Sequence, residues 1–334
     1  MFSRARTGWP FAFRRVVIVA AAALFTVVAY AASSVSPVVT FAPPNFPESV
    51  RVDKEGNTYV SMLTTGEVRK IAPDGSQSTL AVLGSGPTAF PGRRLTGLAI
   101  DAPGNVYVAL NDVPDTRGVW RISRDGTTAL IAALPFAGMV NGLAFDARGN
   151  LFVSDSLGGR IYKVDRDGLV TAWSIDPFLA GATPTACGRF PAGPGGANGL
   201  AFDKHGDLFA ANTTLGAIVR IPVASDGVAQ VASYFVAPTC ELWGADGIAF
   251  DNRDNLYVAI NIQRKIVRID PVGNMETAAA APDAALSAPS DVAFGTGMGH
   301  RKQIFITNFA PPPLGGGTPG VVTMDVDVPG RPLP

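Results

Sequence analysis

The stretch Asn141-Gly-Leu-Ala-Phe-Asp-Ala-Arg-Gly-Asn-Leu-Phe-Val-Ser-Asp155 decides the fold. Two apolar runs flank a turn in which Asp146 can bond backbone two residues on, while Gly149 and Asn150 tolerate positive φ, so the segment predicts a β-hairpin. Its opening hexapeptide recurs along the chain as Glu48-Ser-Val-Arg-Val-Asp53, Thr96-Gly-Leu-Ala-Ile-Asp101, Asn198-Gly-Leu-Ala-Phe-Asp203, Asp246-Gly-Ile-Ala-Phe-Asp251 and Ser290-Asp-Val-Ala-Phe-Gly295. With the quoted copy these are six, spaced 48, 45, 57, 48 and 44 residues apart.

A third apolar run usually follows the hairpin, as in Arg160–Asp165 and Lys265–Asp270, and often a fourth, as in Leu169–Ser174. Four short strands in a repeat of about 45 residues is the pattern of a propeller blade. The expected fold is therefore all-β, a six-bladed β-propeller with four-stranded antiparallel blades. Alanines at 99, 144, 201, 249 and 293 suit an innermost strand crowded near an axis. Helical periodicity is absent after residue 33, which excludes a helical repeat array. The sixth repeat supplies three strands, so closure requires an N-terminal strand, Ser36–Ala42, to complete the C-terminal blade and leave no open edge.

Residues 1–31 read as a signal peptide and residues 32–334 as the single propeller domain. A basic stretch ends in Arg14-Arg15, which also fits a twin-arginine signal; an apolar run covers Val16–Ala32, and Ala29-Tyr30-Ala31 fits a small-x-small cleavage site. An uncleaved anchor is the rival reading, because a spanning helix needs roughly 17 to 25 residues and this run reaches the lower limit. Either way the folded part is expected to be exported, to a periplasmic or extracellular location, as a monomer without membrane contact once cleaved.

The 27 Lys and Arg fall to 23 without the four arginines of that segment, against 27 Asp and Glu, a net charge of −4. A mildly acidic body without a basic cluster excludes nucleic acid as a partner. Cys187 and Cys240, the only cysteines, lie in equivalent loops of consecutive repeats, 11 residues before Asn198 and 6 before Asp246. An oxidising compartment allows them to pair, and a disulfide is expected.

If strand one leaves its first residue and strand two returns, the starts and ends share one mouth of the ring. Starts contribute Glu48, Thr96, Asn141, Asn198, Asp246 and Ser290; ends contribute Asn111, Asp112, Asp155, Asn212, Asn261 and Asn308. The Asp-x-x-Gly-Asn turns fall on the far face. Glu48, Asn141, Asn198 and Asp246 offer oxygen ligands alone, two of them carboxylates, which suits a hard divalent cation: calcium first, with magnesium, manganese or zinc as alternatives. Thr96 and Ser290 are read as strand-entry caps.

Over roughly residues 40–334 the chain resembles the gluconolactonase, senescence marker protein and luciferin-regenerating enzyme family. Carrying the resemblance are Asn-Gly-Leu-Ala-Phe-Asp before Leu151–Asp165, the second copy at Asn198, Asp246–Ala259, Pro289–Gly295 and the closing Gly320–Pro334. It implies a six-bladed propeller in which Glu48, Asn198 and Asp246 bind a divalent metal and Asn141 contacts metal or substrate. It further implies metal-assisted hydrolysis of a small-molecule lactone, most readily a sugar lactone as in a gluconolactonase, with Asp246 as catalytic base. Asn141, Asn212, Asp155 and Asn261 are the expected substrate-binding side chains. The alternative is a non-enzymatic binding propeller of the NHL-repeat type that uses the same metal-containing mouth.

Histidine-dependent chemistry is set aside, because His205 lies in a far-face turn and His300 in a loop of the sixth repeat. Gly193–Gly196 does not join a strand to a helix and so makes no phosphate cradle; Ser154 and Ser156 have no histidine to activate them. Pro311–Gly320 is expected to be a surface loop. The long third spacing, by contrast, places extra residues around Phe178–Gly196 at the mouth, where with Cys187 they are expected to form a lid.

Overall fold

The computed structural model describes residues 1, 34–84, 95–135, 138–191, 193–282, 285–297 and 299–332. The expected signal segment and its cleavage site therefore lie outside the described residues. Among those described, no helix is long and apolar enough to cross a membrane.

Residues from 34 onward build six four-stranded antiparallel sheets, each with its strands in chain order except the last. The first blade runs through Pro47–Val52, Thr58–Met62, Glu67–Ile71 and Gln77–Val82; the third through Val140–Phe145, Leu151–Asp155, Arg160–Val164 and Val170–Ser174. The sixth combines Pro289–Phe294, Gln303–Asn308 and Gly320–Asp325 with the N-terminal strand Val35–Thr40, which pairs with Gly320–Asp325. Closure by the N-terminal strand is thus as expected. It joins the two ends of the chain in one sheet and removes an open edge.

The apolar side chains of a blade do not make a core by themselves; they meet those of the next blade. Phe209 and Ile218 of the fourth blade pack with Ile248, Phe250 and Val258 of the fifth, and Val50 and Val60 of the first with Ala293 and Phe305 of the sixth. Edge-to-face rings reinforce these seams, as where Phe209 meets Phe250 at 5.0 Å. On the far face the repeated Asp organises the hairpin turn of the first five blades. Asp101 accepts from Asn105 through backbone and side chain at 2.7 Å each, and from Tyr107 Oη at 3.0 Å. Burial, followed by the charge of Asp101, pushes the Tyr107 phenol up to about 12, so it remains a donor at neutral pH.

The glycine of the repeated hexapeptide is required by the approach of neighbouring blades. A Cβ on Gly142 would stand 2.3 Å from the carbonyl oxygen of Asn198, and one on Gly199 2.4 Å from that of Asp246. The inner strands can crowd the axis only because these positions carry no side chain. Gly199→Ala is expected to cost on the order of 1–3 kcal/mol by overpacking, read as a lower midpoint in chemical denaturation.

In the sixth copy the glycine is replaced by Asp291, and the seam to the first blade closes differently. Its carboxylate accepts from Ser49 Oγ, from the Val50 amide at 3.1 Å and from Arg51 Nη1 at 2.5 Å. This buried cluster occupies the waist of the central channel, with the mouth on one side of it and the Asp-turn face on the other.

Candidate metal and substrate site

Every blade opens with the same irregularity. In the third, Val140 is opposite Asp155 but Leu143 is opposite Val153, so Asn141 and Gly142 together face one residue of the neighbouring strand. Equivalent bulges occur at the starts of the other five blades. A bulge re-aims side chains that a regular strand would direct elsewhere. Here it brings Glu48, Asn141, Asn198 and Asp246 into one pocket of about 320 Å³ at the mouth. All four are buried, at 9%, 4%, 8% and 7% exposure.

In the second to fifth blades the opening residue also pairs with the residue fifteen positions on. Asn141 Nδ2 donates to Ser156 Oγ at 3.1 Å, and Asn198 Nδ2 donates to Thr213 Oγ1 at 3.0 Å. Each hydroxyl in turn donates to the next blade, Ser156 to the Ala197 carbonyl at 2.7 Å and Thr213 to the Ala245 carbonyl at 2.8 Å. With its proton committed there, the hydroxyl can only accept from the carboxamide, which fixes the amide nitrogen on that side. The carboxamide oxygen is the atom that Asn141 and Asn198 offer to the pocket.

In the fifth blade the pair is Asp246 and Asn261, with Asn261 Nδ2 donating to Asp246 Oδ2 at 2.9 Å. The corresponding Asn111 bonds both backbone groups of Val140 in the next blade, at 2.7 and 2.9 Å. Asn261 faces Pro289 at that position, which has no N–H to donate, and its Oδ1 is buried with no hydrogen-bond partner. Its amide is turned instead to the carboxylate and fixes the plane of Asp246.

Two carboxylates and two oriented amide oxygens form a donor set suited to a hard divalent cation. No metal-type group of three or more His, Cys, Asp or Glu occurs among the described residues. The fit rests on Glu48 and Asp246 joined by amide oxygens, and on their shared burial.

The structure does not bring Asp155 or Asn212 into the pocket. Both precede the pocket-facing residue by one position, and alternate residues of a strand point to opposite sides. Asp155 accepts from the backbone N–H groups of Met139 and Gly158, at 2.7 and 2.9 Å. Asn212 donates to the carbonyls of Phe178 and Ala180, at 3.0 and 2.9 Å. Asn308 does the same work, holding Ser287 and Ala285. These side chains anchor mouth loops. Ser156 and Thr213 are pocket-facing residues that hairpin direction does not single out; the fifteen-residue offset shared by the second to fifth repeats is the signal that marks them.

The loop after the third blade takes the lid position. Asp176 caps a short 3₁₀ turn, Pro177–Leu179, and Phe190 and Pro191 line the pocket. Cys187 and Cys240 are bonded as expected, which ties this loop to the one before the fifth blade, and Phe190 meets Trp243 edge-on at 5.8 Å. Pro311–Gly320 is a largely exposed loop, as expected, that also reaches over the mouth. Pro313 and Leu314 line the pocket, and Leu314 is buried with Phe46, Leu63 and Phe309, because this rim offers an apolar surface to cover. His205 and His300 are exposed, both on hairpin turns of the far face.

The fold and site define a six-bladed β-propeller with an acid- and amide-floored pocket at one mouth of its axis. A model of the SMP-30/Gluconolactonase/LRE-like region matches residues 178–309, so the resemblance read from the repeats stands. No curated protein sequence matches the chain. Several solved structures share the fold. Regucalcin from Agrobacterium tumefaciens, a calcium-binding protein, is 17% identical with a TM-score of 0.66, over 90% of this chain and 97% of that one. A gluconolactonase from Xanthomonas campestris is 17% identical with a TM-score of 0.61, over 90% of each chain. Virginiamycin B lyase from Staphylococcus aureus is likewise 17% identical, with a TM-score of 0.56, over 90% and 89%.

Proposed function

We propose that this protein is a divalent-metal-dependent hydrolase that opens lactones. The observation that carries the reading is the convergence of Glu48, Asp246 and the oriented carboxamides of Asn141 and Asn198 on the floor of one pocket. The match of residues 178–309 to the SMP-30/Gluconolactonase/LRE-like model supports it. These four residues would hold the cation, calcium first, in keeping with the calcium-binding protein of the same fold. When bound, the cation supplies a Lewis acid for the scissile carbonyl.

The chain's own groups account for the rest. Asp246, its carboxylate plane held by Asn261, takes a proton from the attacking water. Water oxygen bonds to the carbonyl carbon, the ring C–O bond breaks, and the departing alkoxide takes the proton held by Asp246, leaving a hydroxy acid. Phe190 and Leu314 line the pocket with apolar surface.

A lyase reading has less support. A histidine-to-alanine form of virginiamycin B lyase is catalytically inactive, whereas both histidines of this chain are far from the mouth pocket. An exported location belongs to the proposal, and the Cys187–Cys240 bond is in keeping with an oxidising compartment. The reading is tested by assaying the metal-free protein against a panel of lactones before and after adding calcium, manganese or zinc. Ring opening restored by a cation is the expected result; a cation that raises thermal stability without any turnover would move the assignment to a binding propeller.

A further inference from the structure

Resting on the hydrolase reading, we infer that the substrate is a neutral lactone carrying an apolar arm, such as an alkyl lactone, and not a polyhydroxylated sugar lactone. The pocket is polar on its floor and apolar on its walls. Leu63, Phe309 and Leu314 come from the first and sixth blades, and Met139, Phe190 and Pro191 from the side of the third and fourth, so the apolar walls stand across the ring from one another. The first wall is built and not incidental: Leu63, Phe309 and Leu314 pack with Phe46 and Ala288 into an apolar cluster separate from the blade cores, and Phe46 meets Phe309 edge-on at 6.3 Å.

The donor protons of the polar side chains above the floor are already engaged, and Asn261 Oδ1 is left as a single buried acceptor. The hydroxyls of Thr96, Ser156 and Thr213 donate to backbone carbonyls of the next blade. Asn261 donates to Asp246. A sugar lactone would set its ring hydroxyls against Leu63, Phe190, Phe309 and Leu314, where they would lose water without gaining partners. Among the described residues no Lys or Arg lines the pocket, and a divalent cation would only balance its two carboxylates, so nothing described there favours an acidic substrate. A carbonyl directed to the floor with an alkyl chain between the walls satisfies both surfaces.

The test compares δ-decalactone with glucono-δ-lactone on the full folded domain loaded with calcium. The alkyl lactone is expected to show a kcat/KM about 10²-fold higher, the scale on which apolar pockets discriminate. Equal turnover, or faster opening of the sugar lactone, would overturn the inference and leave the hydrolase reading standing. If neither lactone opens with calcium, manganese or zinc, the hydrolase reading fails, and calorimetry with the two corresponding ring lactams decides the pocket separately. Tighter binding of the alkyl lactam by tenfold or more supports the apolar walls, and equal or absent binding overturns them. Phe309→Tyr and Leu314→Ser, each checked by thermal melting, should shrink the preference for the alkyl compound about tenfold; an unchanged preference in both folded variants counts against the walls as its source.

Discussion

Asp246→Asn should abolish cation-dependent hydrolysis while leaving the propeller folded. The substitution keeps the shape of the side chain and removes its charge, so the packing of Ala245–Phe250 against the neighbouring blades is preserved. Two functions are lost together. An amide is a poor proton acceptor, and loss of a positioned base alone lowers kcat/KM by about 10²–10⁴-fold. In the proposed site the cation would also lose one of its two carboxylates. A ligand at a hundred times its dissociation constant stabilises a fold by about 2.7 kcal/mol, so the calcium-induced rise in melting temperature should disappear as well. Measuring turnover and melting with and without calcium separates the two losses. Wild-type turnover in this variant would remove Asp246 from the chemistry.

Removing residues 32–44 should have the largest effect on stability. The strand Val35–Thr40 completes the sixth blade, and without it Gly320–Asp325 becomes an open edge. Val35 also leaves the cluster around Ile304, Ile306 and Met324, and Phe41 leaves the cluster between the sixth and first blades, where the Arg69 guanidinium stands 5.2 Å over its ring. The loss combines several ladder hydrogen bonds, at about 1 kcal/mol each, with burial of a large aromatic side chain worth roughly 1.5–3 kcal/mol. That is comparable to the whole net stability of an ordinary domain, about 5–15 kcal/mol. The truncated chain should lack a cooperative thermal transition by circular dichroism. A truncation that melts like the intact protein would show that the ring closes without this strand.

The two predictions differ in how openly the sequence announced them. Periodicity was enough for the ring, since six copies of a hairpin signature at a spacing of about 45 residues admit few architectures, and the three-strand sixth repeat demanded a closing strand from the other end. Placing Glu48, Asn141, Asn198 and Asp246 at one mouth also followed from hairpin direction alone. Asp155, Asn212 and Asn308 did not behave as that argument expected. Hairpin direction assigns a residue to an end of the blade; the side it faces depends on strand alternation and on the bulge at each blade entrance, and neither is written in composition or spacing.

What the sequence by itself determined is the repeat, the closure, the paired cysteines and the end of the ring that holds the acids and amides, because these follow from local turn chemistry and the counting of strands. Only the tertiary structure decided how those groups are aimed. The orientation of Asn141 and Asn198 depends on hydroxyls fifteen residues away whose protons go to a third segment of chain. The apolar walls depend on two loops, around Phe190 and Leu314, folding over the mouth from opposite sides of the ring. Both are contacts between blades, and a contact between blades has no signature within a single repeat.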